Sequence, residues 1–298
     1  MSSNDQIQRF IFDNTDIRGE VISLQQAYQQ VRSNNMKAEQ GMPESLVQLL
    51  GEFLAAACLL SSSLKFDGVL TLQARGDGAV PVIMAESSNH KDLRGVVQLA
   101  EGADLSALAG LSLPELLGKG LLVIIIEPDK GERYQGIVPL EKPSLAQNLE
   151  DYFAQSEQLK TRFWLNANAE RAAGLMLQAL PQQLADADSN EQHWQTAEAL
   201  ATTVKDDELL TLAHGELLYR LFNELEVRLY DAEPVQFACS CSRERCENTL
   251  RSLGQEELEQ IISERDLITI DCHFCNKKYQ FGPTDVVDMF KPGAADLH

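Results

Sequence analysis

Five of the six cysteines lie between Cys239 and Cys275, and their spacing constrains this chain more than any other feature. They run Cys239-x-Cys241, thirty intervening residues, then Cys272-x-x-Cys275, with Cys246 between the pairs. Two close pairs separated by a small subdomain are the usual way to build a tetrahedral four-thiolate zinc site. Each pair brings two sulfurs to one ion at about 2.3 Å, and the second pair closes the shell. The C-x-x-C half is a common signal. The C-x-C half is unusual, because it relies on alternate residues of an extended chain pointing to one side. One pair is expected after a strand and the other on a later strand. In a secreted protein the same clustering would read as a disulfide framework; in a reducing compartment it is a metal site or a redox device.

Cys246 could replace a ligand, but four others already satisfy the ion, and it falls on an expected helix, Ser242–Ser252. His273 and His214 read as surface residues, and Cys58, in the run FLAAACLL, as a small buried hydrophobe. A closed four-sulfur shell leaves no position for water or substrate, which argues against metal-assisted hydrolysis. Two roles stay open on spacing alone. The ion is a plain staple, or the thiolates it holds are targets for oxidants and the domain unfolds once a pair is lost.

What surrounds the cysteines is a chain of 298 residues, 44% hydrophobic, enough for a sizeable core. Apolar segments bounded by Gly, Asp or Asn predict strands at Arg9–Asn14, Ile17–Leu24, Gly68–Arg75, Val80–Glu86, Leu93–Leu99, Leu121–Ile126 and Tyr134–Pro139. Arg162–Asn166 and Gly174–Leu180 add two more. Helices are expected at Gln25–Ser33, from Pro43 to about Leu64, and at Ser144–Ser156. The spacing predicts an α+β domain, with helices packed on an antiparallel or mixed sheet, over residues 1–183. No apolar run approaches a membrane span; the longest, Leu121–Ile126, reads as a buried strand. MSSNDQIQRF lacks a basic segment followed by an apolar one, so a cytoplasmic protein is expected.

The net charge of −20 disfavours nucleic acid and anionic membranes as partners over most of the surface. It is uneven: residues 1–183 carry −7, residues 184–235 carry −9 and residues 236–298 carry −4. The short acidic stretch 184–235 predicts helices at Glu191–Val204, Asp207–Leu212 and Gly215–Leu225 with few large aromatics. Its own core would be thin, so it should fold only when docked, as a conditionally folded linker. The apolar positions Leu217, Leu218, Leu221, Phe222 and Leu225 are candidates for that docking. In residues 236–298, the zinc-binding segment, helices are expected at Glu256–Arg265 and Pro283–Phe290 and a strand at Leu267–Asp271.

Phe237-Ala-Cys239-Ser-Cys241-Ser-Arg243-x-Arg245 and Cys272-His-Phe274-Cys275-Asn-Lys-Lys-Tyr279-x-Phe281 together resemble the zinc motif of the 33 kDa chaperonin family, the heat shock protein 33 holdases. RFIFDNTDIRGEVISL, the Leu93–Gly95 LRG and EPDKGERYQGIVP at 127–139 extend the likeness over most of the chain. The resemblance implies a redox-regulated, ATP-independent chaperone active in stress, folded and largely inactive while reduced and zinc-bound, with one zinc per chain. It implies that peroxide or hypochlorous acid forms Cys239–Cys241 and Cys272–Cys275 disulfides, releases zinc and unfolds the linker. It also implies a homodimer on activation and unfolding proteins as clients, for which Leu217, Leu218, Leu221, Phe222 and Leu225 are candidates as an alternative to docking. A C-x-C disulfide closes a very small ring and should be readily reduced, which suits a reversible switch.

The competing reading is a zinc-ribbon nucleic-acid or translation-associated module, with Arg243, Arg245, Lys277 and Lys278 on phosphate; the segment has no basic stripe. An enzyme is not expected. Gly118-Lys119-Gly120 lacks the spacing and hydroxyl of a phosphate loop, and no Gly-x-Ser-x-Gly or His-Glu-x-x-His occurs.

Overall fold

In a computed structural model, which describes residues 5–36, 42–184 and 186–291, the chain divides into two compact units, Met1–Ala238 and Cys239–His298. The first opens with the hairpin β1 (Gln6–Phe12) and β2 (Ile17–Leu24), then helices α1 (Gln26–Met36) and α2 (Glu44–Ser63). Strands β3 (Gly68–Arg75), β4 (Val82–Ser88) and β5 (Asp92–Gln98) follow, then the short helix α3 (Leu113–Leu117) and the hairpin β6 (Leu121–Pro128) and β7 (Tyr134–Pro139). Helix α4 (Leu145–Tyr152) runs into a π-helical turn, Phe153–Glu157, before β8 (Thr161–Ala167) and β9 (Ala172–Ala179). Helices α5 (Ala187–Ala201), α6 (Asp206–Thr211) and α7 (His214–Phe222) come next, then short strands β10 (Val227–Leu229), β11 (Glu233–Pro234) and β12 (Gln236–Phe237).

The fold is α+β, built on two sheets rather than the single sheet that strand spacing suggested. One has the order β10-β1-β2-β9-β8, with β11 also on β1, and is antiparallel throughout. The other, β12-β5-β4-β3-β6-β7, is antiparallel except for its edge pair β12–β5. Helix α2 lies between them, packed on β2, β8 and β9 of the first and β3, β4 and β5 of the second. This explains why α2 is apolar nearly all round: Leu46, Val47, Leu50, Phe53, Leu54 and the run Ala55–Leu60 are all buried.

The longest uninterrupted apolar run is Phe53–Leu60 of α2, not Leu121–Ile126 as expected. By length and composition α2 could cross a membrane, although Gln48, Glu52 and the serines 61–63 punctuate the segment. Its 18-residue apolar window is 78% buried inside the fold, as the central layer of a core.

The outer face of the first sheet carries α5, α6 and α7. Phe10, Phe12, Ile17 and Val21 of the β1–β2 hairpin and Leu175 and Leu177 of β9 form the platform. Phe10 lies flat over Gly19 on the neighbouring strand, where a Cβ would come within 2.1 Å of its ring. Trp194, Ala197 and Ala201 of α5, Leu209 and Leu210 of α6, and four residues of α7 complete the cluster. Ion pairs flank it, Arg162 to Glu150 and Glu198, and Lys160 to Glu191.

The second unit consists of α8 (Arg243–Arg251), α9 (Gln255–Arg265), the hairpin β13 (Ile268–Asp271) and β14 (Lys278–Phe281), and α10 (Pro283–Met289). Its core is small. Leu250, Leu258, Ile268, Tyr279, Phe281, Val286 and Met289 are its buried members among the described residues.

Candidate metal centre

Two backbone features bring the four cysteines together. Cys239 and Cys241 lie in the extended segment before α8, and the Ser242 side chain caps that helix by accepting from the Arg245 N–H at 3.1 Å. Cys272 and Cys275 lie in the turn between β13 and β14 rather than on a strand. The turn is closed by Cys272 N–H to the Lys277 carbonyl at 3.0 Å and Asn276 N–H to the Cys272 carbonyl at 2.8 Å. Asn276 takes the left-handed conformation, φ 58°, which Asn tolerates better than most residues.

All four Sγ atoms lie within 4.8 Å of one another. Cys239 and Cys272 approach to 3.6 Å, Cys241 and Cys275 to 3.4 Å. Four sulfurs on one tetrahedral zinc at about 2.3 Å would stand roughly 3.8 Å apart, so the donor set fits such an ion in number, softness and spacing. Cys246 is on α8, outside this group, and packs against the small core. His273 is exposed in the turn.

The surroundings favour thiolate at one position first. Burial raises the Cys241 thiol, but hydrogen bonds from the Tyr279 hydroxyl, at 3.2 Å, and from the other three thiols bring it down to about 7. Burial, and then the bonds it shares with the same thiols, push Cys275 up. Tyr279 is a site residue to which spacing assigned no role, although it stands in the motif that carries the family resemblance; it is buried in the KYQF strand. The basic residues weighed for phosphate contact are engaged within the unit. Arg243 donates to the Gln280 carbonyl at 2.8 Å, pairs with Glu247 and Asp285, and stacks 4.3 Å from the Phe281 ring centroid. Arg245 bonds Ser240, Lys278 pairs with Asp271 at 3.8 Å, and Lys277 lies over Tyr279.

Leu217, Leu218, Leu221 and Phe222 are buried on the first sheet, with Leu225 partly buried against them. His214 departs from expectation: it is buried, not on the surface. Its ring nitrogens lie 3.2 Å from Gln8 Oε1 and 3.1 Å from Ser23 Oγ, and burial lowers its pKa to about 4. Cys58 is fully buried as expected, and burial pushes its thiol far up.

Comparison with known proteins agrees over the whole chain. The family described as "Hsp33 protein" matches residues 5–282. A 33 kDa chaperonin of Pseudomonas paraeruginosa is 49% identical over 292 residues, covering 97% of this chain and 96% of its own. One from Azotobacter vinelandii is 48% identical, covering 99% and 97%. The crystal structure of the 33 kDa chaperonin (heat shock protein 33 homolog) of Thermotoga maritima superposes with a TM-score of 0.78. It covers 96% of this chain and 97% of its own at 20% identity, a likeness of fold.

Proposed function

The chain belongs to the Hsp33 family and has a chaperone role, and we propose that it is a redox-regulated, ATP-independent holdase switched by its four clustered cysteines. The observation that carries this reading is the convergence of four Sγ atoms within 4.8 Å in a unit with a small apolar core, the kind of unit that a metal commonly supports. Cys239, Cys241, Cys272 and Cys275 are the ligands. Zinc, when bound, keeps all four as thiolates at neutral pH and supplies much of the folding free energy of this unit.

Thiolate is also the form that peroxide oxidises. In each pair, one thiolate attacks a peroxide oxygen to give a sulfenic acid, and the second displaces hydroxide from that sulfur. Each disulfide thus delivers two electrons to one peroxide, which with two protons leaves as two waters. Cys239–Cys241 and Cys272–Cys275 are the proposed bridges. Once they form, no thiolate remains to hold the ion, and the unit loses its main source of stability.

The segment 184–235 is continuous in sequence with Cys239, and its helices are held on the first unit by an apolar face. Its undocking exposes Leu217, Leu218, Leu221, Phe222 and Leu225 together with the platform beneath them, which are the proposed client surfaces. Activated protein acts as a homodimer on unfolding proteins in the cytoplasm, without catalysis. Light scattering of a heat-aggregating client tests the switch: oxidised protein should suppress aggregation and reduced, zinc-loaded protein should not. Equal suppression by both forms would overturn it.

A further inference from the structure

Arg18 is a partly buried cation with no carboxylate in ion-pairing range among the described residues. It lies on β2, on the face it shares with the core residue Ile22, and its Nε and Nη2 both donate to Gln178 Oε1, at 3.1 and 2.6 Å. A guanidinium does not shed its proton, so desolvating it beside an amide costs free energy that an anion would offset. Burial is the leading influence on this group and disfavours its charge, with the nearby Glu20 carboxylate opposing it.

Arg18 opens onto two adjoining cavities. One, about 260 Å³, is an apolar slot between the sheets, walled by Leu60, Leu70, Ile124, Ile126 and Phe153. The other, about 470 Å³, has the charged residues Arg9, Lys65, Asp231, Glu233 and the buried Glu20 on its lining. Glu20, two residues from Arg18 on the same face of β2, lies 3.8 Å from Arg9, is attracted by both arginines and keeps its Oε2 without a hydrogen bond, so it offsets the Arg18 charge only in part. Glu157 lines the same slot as Arg18, and the Tyr134 and Tyr152 hydroxyls each donate to its Oε1 at 3.0 Å. Glu157 ends the π-helical turn, and the next residue, Gln158, is in the left-handed region, φ 55°. Single π turns and left-handed non-glycine residues concentrate at binding sites.

The slot therefore has mostly apolar walls, with one cation and one anion on its lining. A complementary ligand is hydrocarbon for most of its length and carries one negative charge, which must lie on Arg18 and not beside Glu157. We propose that the slot binds a small free anionic amphiphile of the medium-chain fatty acid class, with its carboxylate on Arg18 and its chain among Leu60, Leu70, Ile124 and Phe153. Such a ligand would join β2 and β9 of one sheet to β3 and β6 of the other.

Calorimetric titration of the reduced, full-length protein with sodium octanoate, 1-octanol and sodium acetate tests this. Octanoate should bind saturably at one per chain, and acetate should not bind. Arg18→Gln should weaken octanoate at least about tenfold, the loss of a charge-assisted contact, and leave octanol unchanged. Ile126→Trp, which narrows the slot without touching Arg18, should abolish both, with far-UV circular dichroism confirming the fold. No saturable octanoate binding, octanoate affinity unaltered by Arg18→Gln, or octanoate retained by Ile126→Trp would each overturn the assignment.

Discussion

At the residue scale, the proposed ligands are the four clustered cysteines, and Cys246 lies outside them. Serine at Cys275 replaces a soft donor with a hard, neutral one. Cys275→Ser protein should lose most of its zinc on dialysis, whereas Cys246→Ser should keep one per chain; a chromogenic chelator read after thiol release gives both numbers. Retention of full zinc by Cys275→Ser would remove it from the ligand set. His214 makes a different prediction. It is docked neutral, with its pKa lowered to about 4 by burial, against about 6.5 when exposed. The undocked form therefore binds the proton first, and docking stability is full above pH 6.5 and is lost as pH falls toward 4. The total is about 3 kcal/mol, since two to three pKa units are involved. Glu20, raised to about 7 by burial, works in the opposite sense, because its contribution is lost as pH rises from its unfolded value through 7. Hydrogen exchange of α7 amides at pH 7 and pH 5, corrected for intrinsic rates, should show a drop in protection in wild type that His214→Gln largely abolishes. Equal slopes in both proteins would sink this role for His214.

At the element scale, α7 has two unlike faces. Phe222 is 1% exposed and stacks edge-on against Phe12 at 5.0 Å between centroids, while Tyr219 on the same helix is 73% exposed. Phe222→Ala should cost the docked helices about 3–5 kcal/mol and Tyr219→Ala almost nothing. Exchange protection of α5–α7 should fall in the first variant alone, with β3–β6 unaffected, and reduced Phe222→Ala protein should acquire client-binding activity. The ion pairs Lys160–Glu191 and Arg162–Glu198 are partly exposed, so each adds at most about 1 kcal/mol, and high salt should loosen the helices only slightly. The existence of α5, α6 and α7 was legible from Ala/Leu periodicity and acidic first turns. Their burial partners were not, because those partners come from β1, β2 and β9, far away in sequence. His214 was misread for the same reason, since Gln8 and Ser23 are more than 190 positions from it.

At the scale of the whole molecule, the two units have very different means of support. Met1–Ala238 encloses a full helical layer between two sheets, while Cys239–His298 has a handful of buried side chains around its thiols. A strong zinc chelator under reducing conditions should therefore melt α8, α9 and α10 while leaving α2 and β3–β6 protected from exchange. Circular dichroism with segment-resolved exchange checks this, and an intact second unit without metal would show that its apolar core suffices.

By itself the sequence determined the cysteine set, the acidic helical segment and most strands. These rest on local spacing, and residues near in sequence stay near in space whatever the fold. The tertiary structure alone decided that the strands form two sheets with α2 between them, that Tyr279 sits against Cys241, that His214 is buried and that Arg18 faces Gln178. Each of these depends on register and on contacts between distant positions, 160 residues apart in the last case. Periodicity states which side of an element is apolar, but not which other element will cover it.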